Sequence, residues 1–234
     1  MSKRKRVAIL ISGRGSNMAA LIDAAASPDF PAEIAGVISN RPDAKGLAIA
    51  AAKGVTTLVV PSKDASREDH AAALDAAIRG MNADIVCLAG YMRLLDDAFV
   101  RRWQGRMINI HPSLLPLFKG THPHEQALAA GVRVHGCTVH FVTPEVDSGP
   151  IIAQAAVPVQ TGDDADSLAI RVLSAEHKLY AEALALLASG KVKMADGRAV
   201  FADFIEESPI GRVVSSPTPR PDIADLESLA RRTP

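Results

Sequence analysis

The chain has 234 residues, a length for one large or two small domains at about 100–200 residues each. Its 26 Lys and Arg balance 26 Asp and Glu, which excludes a dedicated nucleic-acid binder relying on clustered cations. Hydrophobic residues at 48% and charged ones at 22% exclude wholesale disorder, and no apolar run approaches the ~18 residues of a membrane helix. The basic start Met1-Ser2-Lys3-Arg4-Lys5-Arg6 is followed by only five apolar residues, too few for a signal peptide. Cys87 and Cys137 lie in apolar surroundings, so two buried, reduced thiols are expected, in a soluble cytoplasmic protein.

Short β-rich apolar runs at 7–12, 34–39, 56–60, 84–89 and 107–110 read as buried strands. Between them, 17–26, 44–52, 67–81 and 96–103 read as helices, with Ser66-Arg67-Glu68-Asp69 supplying a cap and an acidic first turn. That alternation predicts an α/β fold, a mainly parallel sheet with helices on both faces. The pattern then changes: 136–143 and 150–159 are strands separated by a short segment, an antiparallel excursion in the C-terminal half. An amphipathic helix at 165–189 follows, ending at Gly190.

From about residue 195 the composition shifts, with five of the 15 prolines in the last forty residues. A domain over 1–194 with a C-terminal extension over 195–234 is therefore expected. Phe201, Phe204 and Ile205 are expected to pack on the domain. Ser215-Ser216-Pro217-Thr218-Pro219-Arg220-Pro221 reads as a linker, and 222–232 as a loose helix.

Three segments could carry chemistry. Ser12-Gly13-Arg14-Gly15-Ser16-Asn17 falls between the first strand and helix, where free backbone N–H groups and the helix dipole suit a phosphate. A dinucleotide is disfavoured, because Met18 stands where a third glycine is needed and the second strand ends without an acid. Asn109 and His111 are two residues apart in a strand, so an amide and an imidazole point the same way and could hold an oxyanion. Asp147, in Asp147-Ser148-Gly149-Pro150, could orient or charge-pair a histidine. His111, His122 and His124 lack metal-ligand spacing, so no metal is expected; His70, His135 and His140 read as surface or packing residues.

Together with Ala89-Gly90-Tyr91-Met92-Arg93-Leu94-Leu95, Asn109-Ile110-His111-Pro112-Ser113-Leu114-Leu115-Pro116 and the run from His140 to Pro150, the first loop makes the chain resemble the folate-dependent phosphoribosylglycinamide formyltransferases. The resemblance spans about 7–194. It implies a Rossmann-like formyltransferase fold and direct formyl transfer from 10-formyltetrahydrofolate to the amine of 5-phosphoribosylglycinamide, with small-molecule partners only and no metal. It implies catalytic roles for Asn109, His111 and Asp147. Arg14, Gly15, Ser16, Asn17 and Glu176 would then bind phosphate and ribose. Met92, Arg93, Leu94, Leu95 and Val142 would bind folate, with His122 and the Gly120 turn beside the substrate. Leu173 stands where some relatives carry a cation near the phosphate, and Arg14 is expected to supply that charge. A methionyl-tRNA formyltransferase would carry a basic tRNA-binding domain, and a formyltetrahydrofolate hydrolase an N-terminal regulatory domain; neither is expected here. Either a monomer or a homodimer fits.

Overall fold

The computed structural model describes residues 3–202. Five parallel strands, β1 (Lys5–Ile11), β2 (Ala32–Ser39), β3 (Thr57–Val59), β4 (Ile85–Leu88) and β5 (Met107–His111), are joined by β6 (Val134–Phe141) and β7 (Ile151–Pro158) in one sheet. Its order is β3-β2-β1-β4-β5-β6-β7. The β5–β6 and β6–β7 pairs are antiparallel, the excursion that the sequence predicts.

The central strands are apolar on both faces because helices cover both. Val7, Ile9 and Ile11 of β1 join one core cluster with residues of α1 (Ser16–Ala25) and α6 (Ala165–Ala188). Ala8 and Leu10, the alternate residues, join a second cluster with α3 (Arg67–Gly80) and α4 (Asp97–Arg102). Ser66 caps α3 as expected, its hydroxyl accepting from the Asp69 N–H at 3.0 Å. Asp164 and Ser167 form a reciprocal cap on α6, whose buried row Leu168, Val172, Ala175, Leu179 and Ala183 recurs every three or four residues. The short helix α2 (Lys45–Ala52) packs beside α1.

Two elements go beyond the sequence reading. A short helix α5 (Pro123–Ala129) occupies the segment between β5 and β6. A hairpin of β8 (Val192–Ala195) and β9 (Arg198–Phe201) carries regular structure past residue 195, and Phe201 packs against the core. Phe204, Ile205, the proline-rich linker and the helix expected at 222–232 lie outside the described residues.

The strand order reverses between β1 and β4, and the carboxyl ends of β1, β4 and β5 sit side by side. Ligands in open α/β sheets bind at such a switch point, outside the carboxyl ends of the strands. At ~4.8 Å per strand, the ends of β1 and β5 are about 10 Å apart.

Candidate active site

Asn109 and His111 extend the α3–α4 face of β5 beyond Met107, while Ile108 and Ile110 face the opposite cluster. The register sets His140 opposite Asn109 and Thr138 opposite His111. Asn109, His111 and His140 therefore share one face of an antiparallel pair, with His111 5% and His140 2% exposed.

The hydrogen bonds fix the chemistry of each group. The Phe141 carbonyl lies 2.9 Å from His140 Nδ1, so that nitrogen carries the proton. Burial lowers the His140 pKa and keeps the ring neutral, against the opposing pull of the Phe141 carbonyl and Asp147. Its Nε2 is therefore an acceptor, and Asn109 Nδ2 donates to it at 3.2 Å. The amide of Asn109 is fixed by that bond and keeps a second N–H.

His111 Nε2 donates to the Phe118 carbonyl at 3.0 Å, which leaves Nδ1 facing Asp147 Oδ2 at 3.3 Å. The same oxygen accepts the Gly120 N–H at 3.0 Å, and Lys119 Nζ donates to Ser148 Oγ at 2.7 Å. Asp147 has φ 49°, a strained left-handed backbone that turns its carboxylate inward. Gly149 lets that loop pass against β6, since a Cβ there would lie 1.8 Å from the Phe141 oxygen.

A cavity of about 210 Å³ opens beside these groups. Asn109, His140 and Asp147 line it with Arg93, Leu94, Leu95 and Val142. Arg67 and Tyr91, which the sequence reading did not single out, line it as well. Arg93 donates through Nη2 to the Ala65 carbonyl at 3.1 Å, while its buried Nε has no protein partner. Met92 does not line the cavity; its side chain is largely exposed.

The first loop ends at Gly15, the N-cap of α1, with φ 76°. A Cβ there would meet the Gly46 backbone at 2.8 Å, so glycine is required by conformation and by space. No side chain caps α1 and no acid lies in its first turn, which leaves the helix end facing outward with its positive dipole. Asn17 Nδ2 donates to Glu176 Oε2 at 2.6 Å, and Asn17 Oδ1 is buried without a protein partner. Glu176 is 6% exposed; burial raises its pKa and the Asn17 amide lowers it. Leu173 lies one turn before Glu176 on α6, and Arg14 is exposed.

The structure thus gathers Asn109, His111 and Asp147 at one place, and Asn17 with Glu176 at another. His122 instead points outward, its ring 3.2 Å from Glu125 at the start of α5. Of the two alternatives for His70, His135 and His140, surface or packing, packing holds: all three are buried. His140 is a partner of Asn109, and His70 Nε2 lies 2.6 Å from the Tyr91 hydroxyl. The available signal was parity, because Thr138 and His140 are alternating polar residues on a buried strand paired with Asn109 and His111. Cys87 and Cys137 are buried free thiols, and burial pushes the Cys87 thiol up to about 12. Among the described residues, no group of three or more His, Cys, Asp or Glu could hold a metal, and no helix is long and apolar enough to cross a membrane.

Residues 5–184 match the formyl transferase family. The chain is 44% identical over 194 residues to phosphoribosylglycinamide formyltransferase of Escherichia coli, covering 82% of this chain and 92% of that protein. It is 51% identical over 195 residues to the trifunctional purine biosynthetic protein adenosine-3 of Homo sapiens, covering 83% of this chain but 19% of that protein. The chain therefore spans about a fifth of the length of this larger relative. The crystal structure of phosphoribosylglycinamide formyltransferase from Brucella melitensis is similar at a TM-score of 0.77 and 55% identity, over 86% of this chain and 100% of that one. By sequence and by fold, the chain belongs to the formyl transferase family.

Proposed function

We propose that the chain transfers the formyl group of 10-formyltetrahydrofolate to the amine of 5-phosphoribosylglycinamide, in purine biosynthesis and in a cytoplasmic setting. The observation that carries this is the convergence of Asn109, His140 and Asp147 on one cavity, with His111 beside Asp147. A non-catalytic binding module has no use for a buried imidazole–carboxylate pair beside a pre-aimed amide. The family relationship supports the choice of donor and acceptor.

In this reading the pterin occupies the cavity walled by Leu94, Leu95 and Val142, with Arg67 and Arg93 as cations for the carboxylates of its tail. Met92 contributes through its main chain. The ribotide phosphate sits at the α1 N-terminus, on Gly15, Ser16 and Asn17, with Arg14 as the nearby cation. Glu176 accepts from the ribose. The ~10 Å between strand ends fits a sugar phosphate at one end and its amine at the other.

The neutral amine attacks the formyl carbon, and negative charge develops on the formyl oxygen. The free N–H of Asn109 stabilises that oxygen, and losing such a donor costs on the order of 100–1,000-fold in rate; His111, its Nε2 held by the Phe118 carbonyl, faces Asp147 through Nδ1. Asp147 holds His111 and takes up the amine proton directly or through water. Collapse breaks the bond from carbon to the folate nitrogen, which leaves with a proton. The phosphate site supplies orientation.

The test uses donor labelled at the formyl carbon. Label recovered on the glycinamide nitrogen supports the transfer; label recovered only as free formate, with the amine present, identifies a hydrolase instead.

A further inference from the structure

Ser12 lies just before the glycine loop, is 6% exposed, and has no part in the chemistry described above. Its main-chain N–H donates to the Gly90 carbonyl at 3.1 Å. Its hydroxyl accepts the Met92 N–H at 2.9 Å and donates to Asn40 Oδ1 at 2.6 Å. Asn40 Nδ2 in turn donates to Ser62 Oγ at 3.0 Å. One oriented chain of hydrogen bonds therefore runs from the segment after β4, through the end of β1, to the ends of β2 and β3.

Each link has one reading. A backbone N–H can only donate, so the hydroxyl oxygen of Ser12 accepts from Met92. Its single proton is then free for Asn40, whose Oδ1 receives it and whose amide nitrogen faces Ser62. Ser12 and Asn40 are buried, and a buried polar group that loses its partner carries the full cost of its desolvation. The Met92 side chain is exposed, so its own packing does not hold the main chain of this segment. Met92 is flanked by Tyr91 and Arg93, both of which line the cavity, and Gly90 before them has φ 74°.

We infer that Ser12 is a positioning residue for the folate side of the site: its hydroxyl fixes the Met92 main chain, and with it the cavity wall formed by Tyr91 and Arg93, to the loop that carries the anion cradle. This rests on the assignment of the cavity to folate made above. Asn40 orients the Ser12 hydroxyl and acts one step further back.

The experiment measures equilibrium binding of a 10-formyl-folate analogue unable to transfer its formyl group, and separately of ribose 5-phosphate, to the wild-type chain, Ser12→Ala and Asn40→Ala. Thermal melting and steady-state turnover are recorded for each. Ser12→Ala is expected to weaken the folate analogue about tenfold or more, the scale of one buried hydrogen bond to main chain. Binding of ribose 5-phosphate and kcat at saturation stay within about threefold, and Asn40→Ala shows the same split at smaller size. Hydrogen exchange at the Met92 amide accelerates in Ser12→Ala. Where Ser12→Ala does not fold, Ser12→Cys, which keeps the volume but weakens both bonds, shows the same split. Unchanged folate binding, or equal weakening of both ligands along with a large drop in melting temperature, overturns the inference. Failure of the wild-type chain to bind the folate analogue overturns instead the assignment of the cavity.

Discussion

Asn109 and His140 face each other across the antiparallel β5–β6 pair, with the amide of one donating to the imidazole of the other at 3.2 Å. The bond has a fixed direction because the Phe141 carbonyl claims the other imidazole nitrogen. His140 thereby decides which way the Asn109 amide points.

Replacing that ring with one of similar bulk and no acceptor leaves the amide free to turn. His140→Phe should lower kcat on the order of 10–100-fold with KM for both substrates within about threefold, since small misplacements near the reacting atoms cost rate more than binding. Steady-state kinetics check this. A wild-type kcat would remove His140 from the site.

Asp147→Asn keeps shape and an oxygen for the Gly120 N–H but gives up the charge beside His111. Turnover should fall at least about 100-fold, the lower end of what a positioned acid or base contributes. The melting temperature should move by no more than a few degrees. A large loss of stability with retained turnover would make Asp147 structural.

Leu173 lies one turn before Glu176 on α6, so no cation projects from that position. Arg14→Ala should therefore raise KM for the ribotide about tenfold, the worth of one charge-assisted hydrogen bond to phosphate. Leu173→Lys in the same background should restore much of it. An unchanged KM in Arg14→Ala shows that the backbone cradle suffices.

Acid should destabilise the fold. Burial lowers the pKa of His70, His124, His140 and His177, and brings His135 down to about 4. The unfolded chain then binds more protons than the folded one below about pH 6.5, so stability is present above that value and lost as pH falls through the folded pKa values. Melting temperature should drop by several degrees between pH 7 and pH 5, and His135→Phe should flatten the dependence. A melting temperature that rises over the same interval would contradict the buried, neutral state of these rings.

Much of the fold was legible because its signals are local. Runs such as Val7 to Ile11 are apolar on both faces, which only a doubly covered strand requires, and Ser66 and Gly190 mark helix ends directly. The hairpin after α6 escaped because Asp196-Gly197 joins strands of only four residues each. Asn109 and His111 were legible as a pair because parity within one strand is visible in sequence. Their partners were not. His140 meets Asn109 through a register between strands, and Gly120 and Phe118 meet Asp147 and His111 through loops with left-handed residues. Ser12 and Met92 are 80 residues apart and meet only because β1 and β4 are neighbours in the sheet.

The most direct measurement follows loss of the formyl group from 10-formyltetrahydrofolate by absorbance, with and without 5-phosphoribosylglycinamide, for the wild-type chain and His111→Ala. Deformylation should require the amine, match formylated product one for one, and fall by on the order of 100-fold or more in His111→Ala. Deformylation that proceeds equally without the amine, or that is indifferent to His111, would contradict formyl transfer at this site.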